Sequence, residues 1–276
     1  MRYIMKYKSL LLDVDGTLVP AGPYTIPSER VRASVRQVHD VVGISLVSGR
    51  PLDWLNETFE SLDIVNPCVI NGGSQIIDPK THKILWEQPI ENASLATILS
   101  IIHEFGITSF TINDNGIEYK NPKDHPIDKP LAVQLSYFNS KEDSDACIRR
   151  LQNVPHISCH KFYSWDKNRN YTQEVYITHS GADKQHAVRE LIRLGGLNQS
   201  EIIAVGDSRN DMPLFEVCGL KVAMGNADDK LKRMADYIAP TVDEDGVAHV
   251  IEKFIIRGEE LPKKKQGLFS KIFPRI

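Results

Sequence analysis

Two aspartates stand one residue apart where the first apolar run of the chain ends. The run Leu10–Leu12 leads directly into Asp13 and Asp15, and a Gly-Thr dipeptide close behind turns the chain. Residues i and i+2 of a strand point to the same side, so the two carboxylates are expected to lie together. Carboxylate oxygens suit Mg²⁺, and an aspartate can act as a nucleophile that forms an aspartyl-phosphate. The motif therefore predicts a magnesium site with a nucleophile at the end of a strand.

A second acidic motif follows another predicted strand, Ile202–Val205. Asp207 stands close to the end of that strand, and Asp211 comes four residues later at the start of a helix. We expect Asp207 to bind the metal directly. Asp211 fits an N-cap, and from that position it can also support the metal site from behind the direct ligands. Together with Asp13 and Asp15, these residues predict a site with oxygen ligands alone, which favours Mg²⁺ over Zn²⁺.

Two more predicted strands end in polar residues. A hydroxyl or a backbone N–H between a strand end and a helix start can hold a phosphate oxygen. The candidates for phosphate or substrate binding are Ser48, Gly49 and Arg50 after the second strand, and Asn71 after the third. Without the acidic motifs, a capped turn would be the favoured interpretation of Ser48-Gly49-Arg50.

Lys184 is a cationic candidate for the same site. It stands at the start of a predicted helix, Ala182–Leu194. The helix dipole disfavours a cation in the first turn, so an anion bound nearby would explain the lysine. A solvated surface lysine is the alternative, and the residue taken alone does not separate the two.

The elements that must position these residues alternate between strand and helix at both ends of the chain. This pattern predicts an α/β fold with a doubly wound parallel sheet, formed by residues 1–75 and 181–258. Strand pairs joined by short turns predict an inserted α+β unit at residues 76–180, and residues 259–276 form a basic tail. Open α/β sheets bind ligands beyond the carboxyl ends of their strands. The polar strand ends are therefore expected to converge on one site.

Composition narrows the class of protein. The chain has 276 residues, of which 41% are hydrophobic, and a net charge of −3. These values predict a normal core and give no indication of nucleic-acid binding. The sequence contains no run of about 20 apolar residues, so no transmembrane segment is expected. The first apolar run ends in Asp13, which argues against a secretory signal. Scattered cysteines favour a reduced, cytoplasmic protein, and the oligomeric state is left open.

Three further sets of residues are weaker candidates. His156 and His160 are four residues apart on a predicted strand, a span of roughly 13 Å that is too long for a shared metal. Arg169, Tyr171 and Glu174 could reach the site from the inserted unit, although surface roles are favoured. The basic tail has apolar residues at helical spacing, which permits contact with a membrane surface or a partner. A disordered tail is the favoured interpretation, because so short a segment is a poor helix.

Taken together, these motifs resemble those of the haloacid dehalogenase superfamily of phosphotransferases. The first aspartate motif, Ser48, Lys184 and the second acidic motif match the four motifs of that family in order and spacing. Asn71-Gly72-Gly73 and the Asp-Glu-Asp-Gly-Val run at 243–247 look like the Cof-type branch, which carries a large α/β cap inserted after the third strand. Residues 76–180 fall where that cap belongs.

The resemblance implies a role for each matching residue. Asp13 would be the nucleophile and a Mg²⁺ ligand, and Asp15 would be the general acid and base, with its backbone carbonyl on the metal. Asp207 would complete the protein ligands, and Asp211 would support them. The groups that would hold the transferring phosphoryl are Ser48, Lys184 and Asn210. Phosphoryl transfer depends on in-line positioning and on neutralisation of oxygen charge, which these residue types can supply.

The resulting expectation is a Mg²⁺-dependent phosphatase acting on a small phosphorylated metabolite through an aspartyl-phosphate, with a sugar phosphate as the favoured substrate. A phosphomutase similar to phosphomannomutase would use the same aspartates and return the phosphoryl group to the sugar. A non-catalytic protein that binds a phosphometabolite is the alternative from another class, and the intact aspartates argue against it. A disaccharide phosphate or a glycosyl-phosphoglycerate stays open as the substrate.

Overall fold

A computed structural model of the protein describes residues 6–22, 25–122, 126–136, 138, 141–165 and 171–261. The strands in this part of the chain are β1 (Ser9–Leu12), β2 (Gly43–Leu46), β3 (Cys68–Ile70), β4 (Gln75–Ile77), β5 (Ile84–Glu87), β6 (Ser109–Asp114), β7 (Ile117–Lys120), β8 (Pro130–Ser136), β9 (Ile157–Trp165), β10 (Tyr171–His179), β11 (Ile202–Gly206), β12 (Leu220–Ala223) and β13 (Tyr237–Ile238). The α-helices are α1 (Glu29–Val38), α2 (Asn56–Leu62), α3 (Asn92–Glu104), α4 (Lys141–Leu151), α5 (Lys184–Gly195), α6 (Met212–Glu216), α7 (Asp229–Met234) and α8 (Gly246–Val250).

The first and last parts of the chain share one parallel sheet, in the order β13-β12-β11-β1-β2. Leu10 pairs with Ile203 of β11 on one side and with Ile44 of β2 on the other. Leu10–Leu12 are fully buried, as is typical of central strands in a parallel sheet. The predicted α/β fold with a parallel sheet is thereby confirmed, and the carboxyl ends of β11, β1 and β2 lie side by side.

A second, antiparallel sheet forms the inserted unit, in the order β7-β6-β8-β10-β9. One of its faces packs with α3 and α4 in a separate cluster of buried residues, which includes Ile98, Ile112, Val133 and Val175. Neighbouring residues along a strand point to opposite faces, so Asn113 of β6 projects from the other face. We call this inserted unit the cap and the remainder of the fold the core.

We propose that the hairpin of β4 and β5 belongs to the core. The sequence analysis placed the start of the inserted unit at residue 76. In the structure, Ile76 and Ile77 lie in the buried cluster of the parallel sheet, and β4 pairs with both β3 and β5. Ile90 is the first residue of the chain in the cluster of the cap. We therefore propose a boundary after Glu87, because Ile76 and Ile77 extend the core and Trp86 of β5 packs against it.

The remaining predictions on organisation concern membranes and the tail. Within the described residues, the helices are all too short or too polar to cross a membrane. The basic tail predicted at 259–276 lies outside the described residues from residue 262 onwards.

Candidate active site

The two acidic motifs meet at the carboxyl ends of neighbouring strands. Asp13 follows β1 and Asp207 follows β11, and a short 3₁₀ turn then places Asp211 beside them. One carboxylate oxygen from each of the three residues lies within 4.8 Å of the others. In the described part of the chain, no other group of three or more potential metal ligands lies this close together.

The ammonium of Lys184 lies between two of these carboxylates. Its Nζ donates to Oδ1 of Asp13 at 2.5 Å and to Oδ1 of Asp211 at 2.7 Å, and the side chain is 4% exposed. Lys184 is the first residue of α5, and Asp183 caps that helix by accepting from the N–H of His186. The start of the helix therefore sets the position from which the lysine reaches the site. The interpretation of Lys184 as a solvated surface lysine is excluded.

The carboxylates and the ammonium shift one another's pKa values. Burial and the neighbouring Asp211 raise the pKa of Asp13 to about 8, although Lys184 acts in the opposite direction. Burial, again with Asp211, raises the pKa of Asp207 to about 7. Burial alone would lower the pKa of Lys184, but Asp13 and Asp211 together outweigh it and hold that pKa above its ordinary value. We call Asp13, Asp207 and Asp211 the acidic group. More positive charge than the ammonium of Lys184 supplies would be needed to bring the pKa values of Asp13 and Asp207 down to the ordinary range.

The acidic group fits a divalent cation. Oδ1 of Asp207 is buried and has no hydrogen-bond partner among the described residues, and a buried acceptor without a partner calls for an ion or a water. Gly16, at φ +79°, lets that carboxylate approach the first motif, because a Cβ there would lie 2.1 Å from Oδ2 of Asp207. The donor atoms are all carboxylate oxygens, which suit Mg²⁺. Asp13 and Asp207 would hold the ion directly.

Both oxygens of Asp211 are occupied within the protein. Oδ2 accepts from the backbone N–H groups of Asp207 and Ser208 at 3.1 Å each, while Oδ1 accepts from Lys184. A Cβ at Gly206 would fall 2.6 Å from the Asp211 side chain, so this glycine makes the approach possible. Asp211 thus orients both the loop of Asp207 and the lysine, and its support of a metal stays a prediction.

Asp15 is paired with Arg50, and its carboxylate is not a member of the acidic group. Nε and Nη2 of Arg50 donate to the two oxygens of Asp15 at 2.9 Å and 2.6 Å, and Nη2 also donates to the carbonyl of Gly22. The sequence analysis assigned Arg50 to phosphate or substrate binding. In the structure the guanidinium pairs with Asp15, because a bidentate carboxylate satisfies a buried guanidinium well, and the binding role of Arg50 stays a prediction. Its Nη1 is buried without a hydrogen-bond partner among the described residues.

Ser48 and Gly49 form the turn after β2. The side chain of Ser48 is fully buried, and its Oγ accepts from the backbone N–H of Arg50 at 3.1 Å. Gly49 is exposed, and no heavy atom lies within 4 Å of the place where a Cβ would stand. The backbone at Gly49 is therefore open on that side, and the phosphoryl-binding role of both residues stays a prediction.

Asn71 joins the core to the cap. It is 1% exposed, its Nδ2 donates to Oε1 of Gln75, and its Oδ1 accepts from Nδ2 of Asn113, both at 2.8 Å. The sequence analysis placed Asn71 among the phosphate- or substrate-binding residues. In the structure its amide has two protein partners, because a buried amide needs hydrogen bonds on both its oxygen and its nitrogen, and the binding role of Asn71 stays a prediction.

The remaining candidates fall in several places. Oδ1 of Asn210 accepts from the hydroxyl of Ser208 at 2.5 Å on an exposed turn. Glu174 lies on β10 of the cap, where Gln134 donates to it at 2.7 Å. His156 stacks on His179. Arg169 and the side chains of His160 and Tyr171 lie outside the described residues.

Sequence reasoning missed Asn226, which ties two loops of the site together. Its Nδ2 donates to the carbonyl of Gly16 at 2.8 Å, and its Oδ1 accepts from the N–H of Val242 at 2.9 Å. Asn226 comes three residues after the end of β12. A polar residue beyond the carboxyl end of a parallel strand was therefore the available signal, and it is the same signal that found Asp13 and Asp207.

The chain belongs to the haloacid dehalogenase-like hydrolase family, whose model matches residues 10–251. Over 256 residues it is 27% identical to the 5-amino-6-(5-phospho-D-ribitylamino)uracil phosphatase YcsE of Bacillus subtilis, with 90% of this chain and 96% of that protein covered. The solved structure of the phosphatase BT1666 of Bacteroides thetaiotaomicron is similar at a TM-score of 0.75 and 20% identity, with 91% and 96% covered. The subclass IIB sugar phosphatase BT4131 is similar at a TM-score of 0.68 and 19% identity, with 89% and 98% covered.

These relationships bear on three of the predictions. The predicted family is confirmed, because the matched residues include both acidic motifs and Lys184. The fold with an inserted cap is shared with solved structures over about nine-tenths of the chain. The predicted class of enzyme, a phosphoric monoester hydrolase, is confirmed as well.

Proposed function

We propose that this protein is a Mg²⁺-dependent phosphatase that hydrolyses a small phosphorylated metabolite, a sugar phosphate, through an aspartyl-phosphate at Asp13. The observation that carries the proposal is the buried ammonium of Lys184 between Asp13 and Asp211, beside the unpartnered oxygen of Asp207. This arrangement combines a nucleophile, a cation and metal ligands at one edge of the sheet. A Mg²⁺ ion held by Asp13, Asp207 and the backbone carbonyl of Asp15 would neutralise further charge on the phosphoryl oxygens.

Asp13 is the proposed nucleophile. One of its carboxylate oxygens would form a bond to phosphorus while the bond from phosphorus to the ester oxygen breaks. Lys184 already holds Oδ1 of Asp13, so it would orient the attacking carboxylate and neutralise charge that develops on the phosphoryl oxygens. The further groups proposed to hold those oxygens are the hydroxyl of Ser48, the backbone of Gly49 and the side chain of Asn210.

Asp15 is the proposed acid and base. It would protonate the leaving ester oxygen and later take a proton from the water that hydrolyses the aspartyl-phosphate. In the structure both of its oxygens accept from Arg50. Each of these oxygens has a second lone pair, which can take a proton while the first accepts from Arg50. Arg50 would therefore hold the carboxylate of Asp15 in position during proton transfer.

A sugar phosphate is the substrate class that the relatives support. YcsE is named for a phosphorylated ribitylamino compound, and BT4131 is named as a sugar phosphatase. Both names describe phosphate esters of polyhydroxylated carbon chains or rings. In the cap, Gln134 and Glu174 form a polar pair on one face of the sheet, and amides and carboxylates of this kind form hydrogen bonds with hydroxyl groups.

The cytoplasm is the proposed location. The four cysteines are free thiols, as is usual for proteins of reducing compartments. Burial raises the pKa of Cys68 to about 12 and that of Cys147 to about 11. Such thiols are not reactive thiolates, and the proposed reaction uses no cysteine.

A phosphate-release screen tests the proposal. The purified protein is given a panel of sugar phosphates in Mg²⁺ and, separately, in EDTA. We expect inorganic phosphate to be released from one or more of these esters in Mg²⁺, with no release in EDTA and full recovery when Mg²⁺ is added back. Isomerisation of a hexose phosphate without release of phosphate would favour the phosphomutase instead. Binding without any turnover would favour the non-catalytic protein, and either result would contradict the proposal.

A further inference from the structure

A continuous line of hydrogen-bonded side chains crosses from the cap to the core beside the proposed active site. The backbone N–H of Gly116 donates to Oδ1 of Asn113 at 3.0 Å, and Nδ2 of Asn113 donates to Oδ1 of Asn71 at 2.8 Å. Nδ2 of Asn71 then donates to Oε1 of Gln75 at 2.8 Å, and Nε2 of Gln75 donates to Oε2 of Glu87 at 3.5 Å. We call these five residues the amide chain.

Every donor in the amide chain points the same way, and the two ends fix that direction. The N–H of Gly116 can only donate, and the carboxylate of Glu87 can only accept. Lys129 of the cap donates to the other oxygen of Glu87 at 2.5 Å, so both oxygens of this side chain act as acceptors. The three amides between the ends are 1–5% exposed. Reversal of any one of them would bring like groups together in a buried place, which is costly.

The centre of the amide chain lies in a turn that touches two proposed phosphoryl-binding residues. Asn71, Gly72 and Gly73 all have positive φ. The N–H of Gly72 donates to the backbone carbonyl of Ser48 at 3.1 Å. A Cβ at Gly73 would lie 2.8 Å from the backbone nitrogen of Lys184. The turn is therefore packed between the Ser48 loop and the start of the helix that carries the lysine.

We propose that Asn113 of the cap is a positioning residue for phosphoryl transfer, acting through the turn at Asn71 on Ser48 and Lys184. The inference rests on the proposed function of that site and adds a cap residue that acts through the core. The position of the cap on the core would thereby be coupled to the positions of Ser48 and Lys184. A misplacement of about 1 Å can cost on the order of 10²-fold in rate. Loss of the chain should lower kcat more than it raises KM, because these contacts strengthen in the transition state.

The fixed direction of the amide chain supplies the test. Asn113→Asp keeps the acceptor for Gly116 but removes the donor to Asn71, and Glu87 cannot donate from the far end. Glu87→Gln supplies that missing donor. In the double variant the chain can run in reverse, from the new amide at position 87 through Gln75 and Asn71 to the new carboxylate at position 113. Recovery in the double variant would require communication along the whole chain, because the two changed positions do not bond to each other.

A matched control is Asn121→Asp. Asn121 is also a cap asparagine, and its Oδ1 accepts from the N–H of Phe110 at 2.7 Å. It stands outside the amide chain and receives the same chemical change. We expect the kcat of Asn121→Asp to stay within about twofold of the parent, as is usual for sites that do not share partners. Addition of Glu87→Gln to Asn121→Asp should change kcat only as much as Glu87→Gln changes it in the parent.

Two measurements are made on each variant. Steady-state hydrolysis of p-nitrophenyl phosphate in Mg²⁺ gives kcat and KM, and thermal unfolding in EDTA gives Tm without reference to activity. For Asn113→Asp we expect kcat to fall about tenfold with KM changed less than about threefold. The double variant should recover at least about threefold in kcat and should also have a higher Tm than Asn113→Asp. If Asn113→Asp does not fold, a folded and active double variant is the supporting result.

The outcomes that overturn the inference are distinct from those that overturn the proposed function. A kcat of Asn113→Asp within about twofold of the parent, or a double variant no better than the single one in either measurement, would overturn the positioning role. Inactivity of the parent on every phosphate ester would overturn the proposed function. In that case the Tm values still test whether Asn113 and Glu87 are coupled through the amide chain.

Discussion

Replacement of Lys184 by methionine should expose how the charges of the site balance. The lysine is 4% exposed and donates to both Asp13 and Asp211. Methionine fills a similar volume and carries no charge. Asp13, Asp207 and Asp211 would then share a buried site without the ammonium, with carboxylate oxygens within 4.8 Å of one another.

The magnitude follows from the burial of the pair. Removal of one partner from a buried ion pair costs about 3–5 kcal/mol, because the other partner is left as an uncompensated charge. For a chain of this size, 1 kcal/mol corresponds to a Tm shift of about 2–4 °C. Lys184→Met should therefore lower Tm by roughly 6–20 °C in EDTA at pH 8.

The dependence on pH has a definite sign. The folded-state pKa values of Asp13 and Asp207, about 8 and about 7, lie above the ordinary 3.8. Between pH 3.8 and the raised pKa values, the folded state binds more protons than the unfolded state. The free energy of unfolding therefore falls as pH rises through this range. Loss of the ammonium raises these pKa values further. The Tm deficit of Lys184→Met should therefore be larger at pH 8 than at pH 5.5, and Mg²⁺ should narrow it.

The assay is thermal unfolding of parent and variant at both pH values, in EDTA and in Mg²⁺. Lys80→Met is the matched control, because Lys80 and Asp63 form an ion pair in which both side chains are about half exposed. Such surface pairs contribute about 0–1 kcal/mol, so the control should shift Tm by less than roughly 4 °C. A deficit for Lys184→Met no larger than that of the control at pH 8, or one that grows as pH falls, would refute the charge balance described here.

Three further predictions address the reaction and the metal. Asp13→Asn should lower turnover by at least ~10³ while the protein stays folded by circular dichroism, and near-parental hydrolysis would remove Asp13 as the nucleophile. Mg²⁺ binding should release protons and weaken as pH falls below about 7, because Asp13 and Asp207 must ionise to bind the ion. Calorimetry in two buffers of different ionisation enthalpy measures the number of protons released, and an affinity for Mg²⁺ that does not depend on pH would contradict the prediction. Asp15→Asn should slow the first step much more for a sugar phosphate than for p-nitrophenyl phosphate, whose leaving group hardly needs a proton. Rapid quench measures that step, and equal slowing of both substrates would remove Asp15 from the acid role.

The sequence predicted the residues whose positions follow from strand ends. Asp13, Ser48 and Asp207 each come directly after a parallel strand, or within two residues of its end, and neighbouring parallel strands end at the same edge. That rule alone brings them together. The helix start left Lys184 open between an anion site and a surface position, and the family resemblance favoured the site. The structure shows the two carboxylates that offset the cost of a cation there. Asp13, Ser48 and Asp207 needed only local patterns and one rule of topology.

The partners of Arg50 and Asn71 could not be predicted in the same way. Arg50 pairs with Asp15 across 35 positions, and Asn71 pairs with Asn113 across 42. Such pairs depend on rotamers and on where loops meet, and no periodic pattern in the sequence encodes them. The hairpin of β4 and β5 shows the same limit, since its strands were predicted but the sheet that they join depends on tertiary packing.

The central claim is that Asp13 forms a covalent bond to phosphorus, and chemical trapping tests it most directly. The protein is mixed with Mg²⁺ and a sugar phosphate that it hydrolyses, and the reaction is quenched in acid within one turnover. The sample is then reduced with borohydride, which converts an acyl phosphate to an alcohol. Peptide mass spectrometry then reads the residue at position 13. The account predicts homoserine there, only when both substrate and Mg²⁺ were present. Unmodified aspartate at position 13 in samples that are releasing phosphate, with the reduced residue at another position or none, would contradict it.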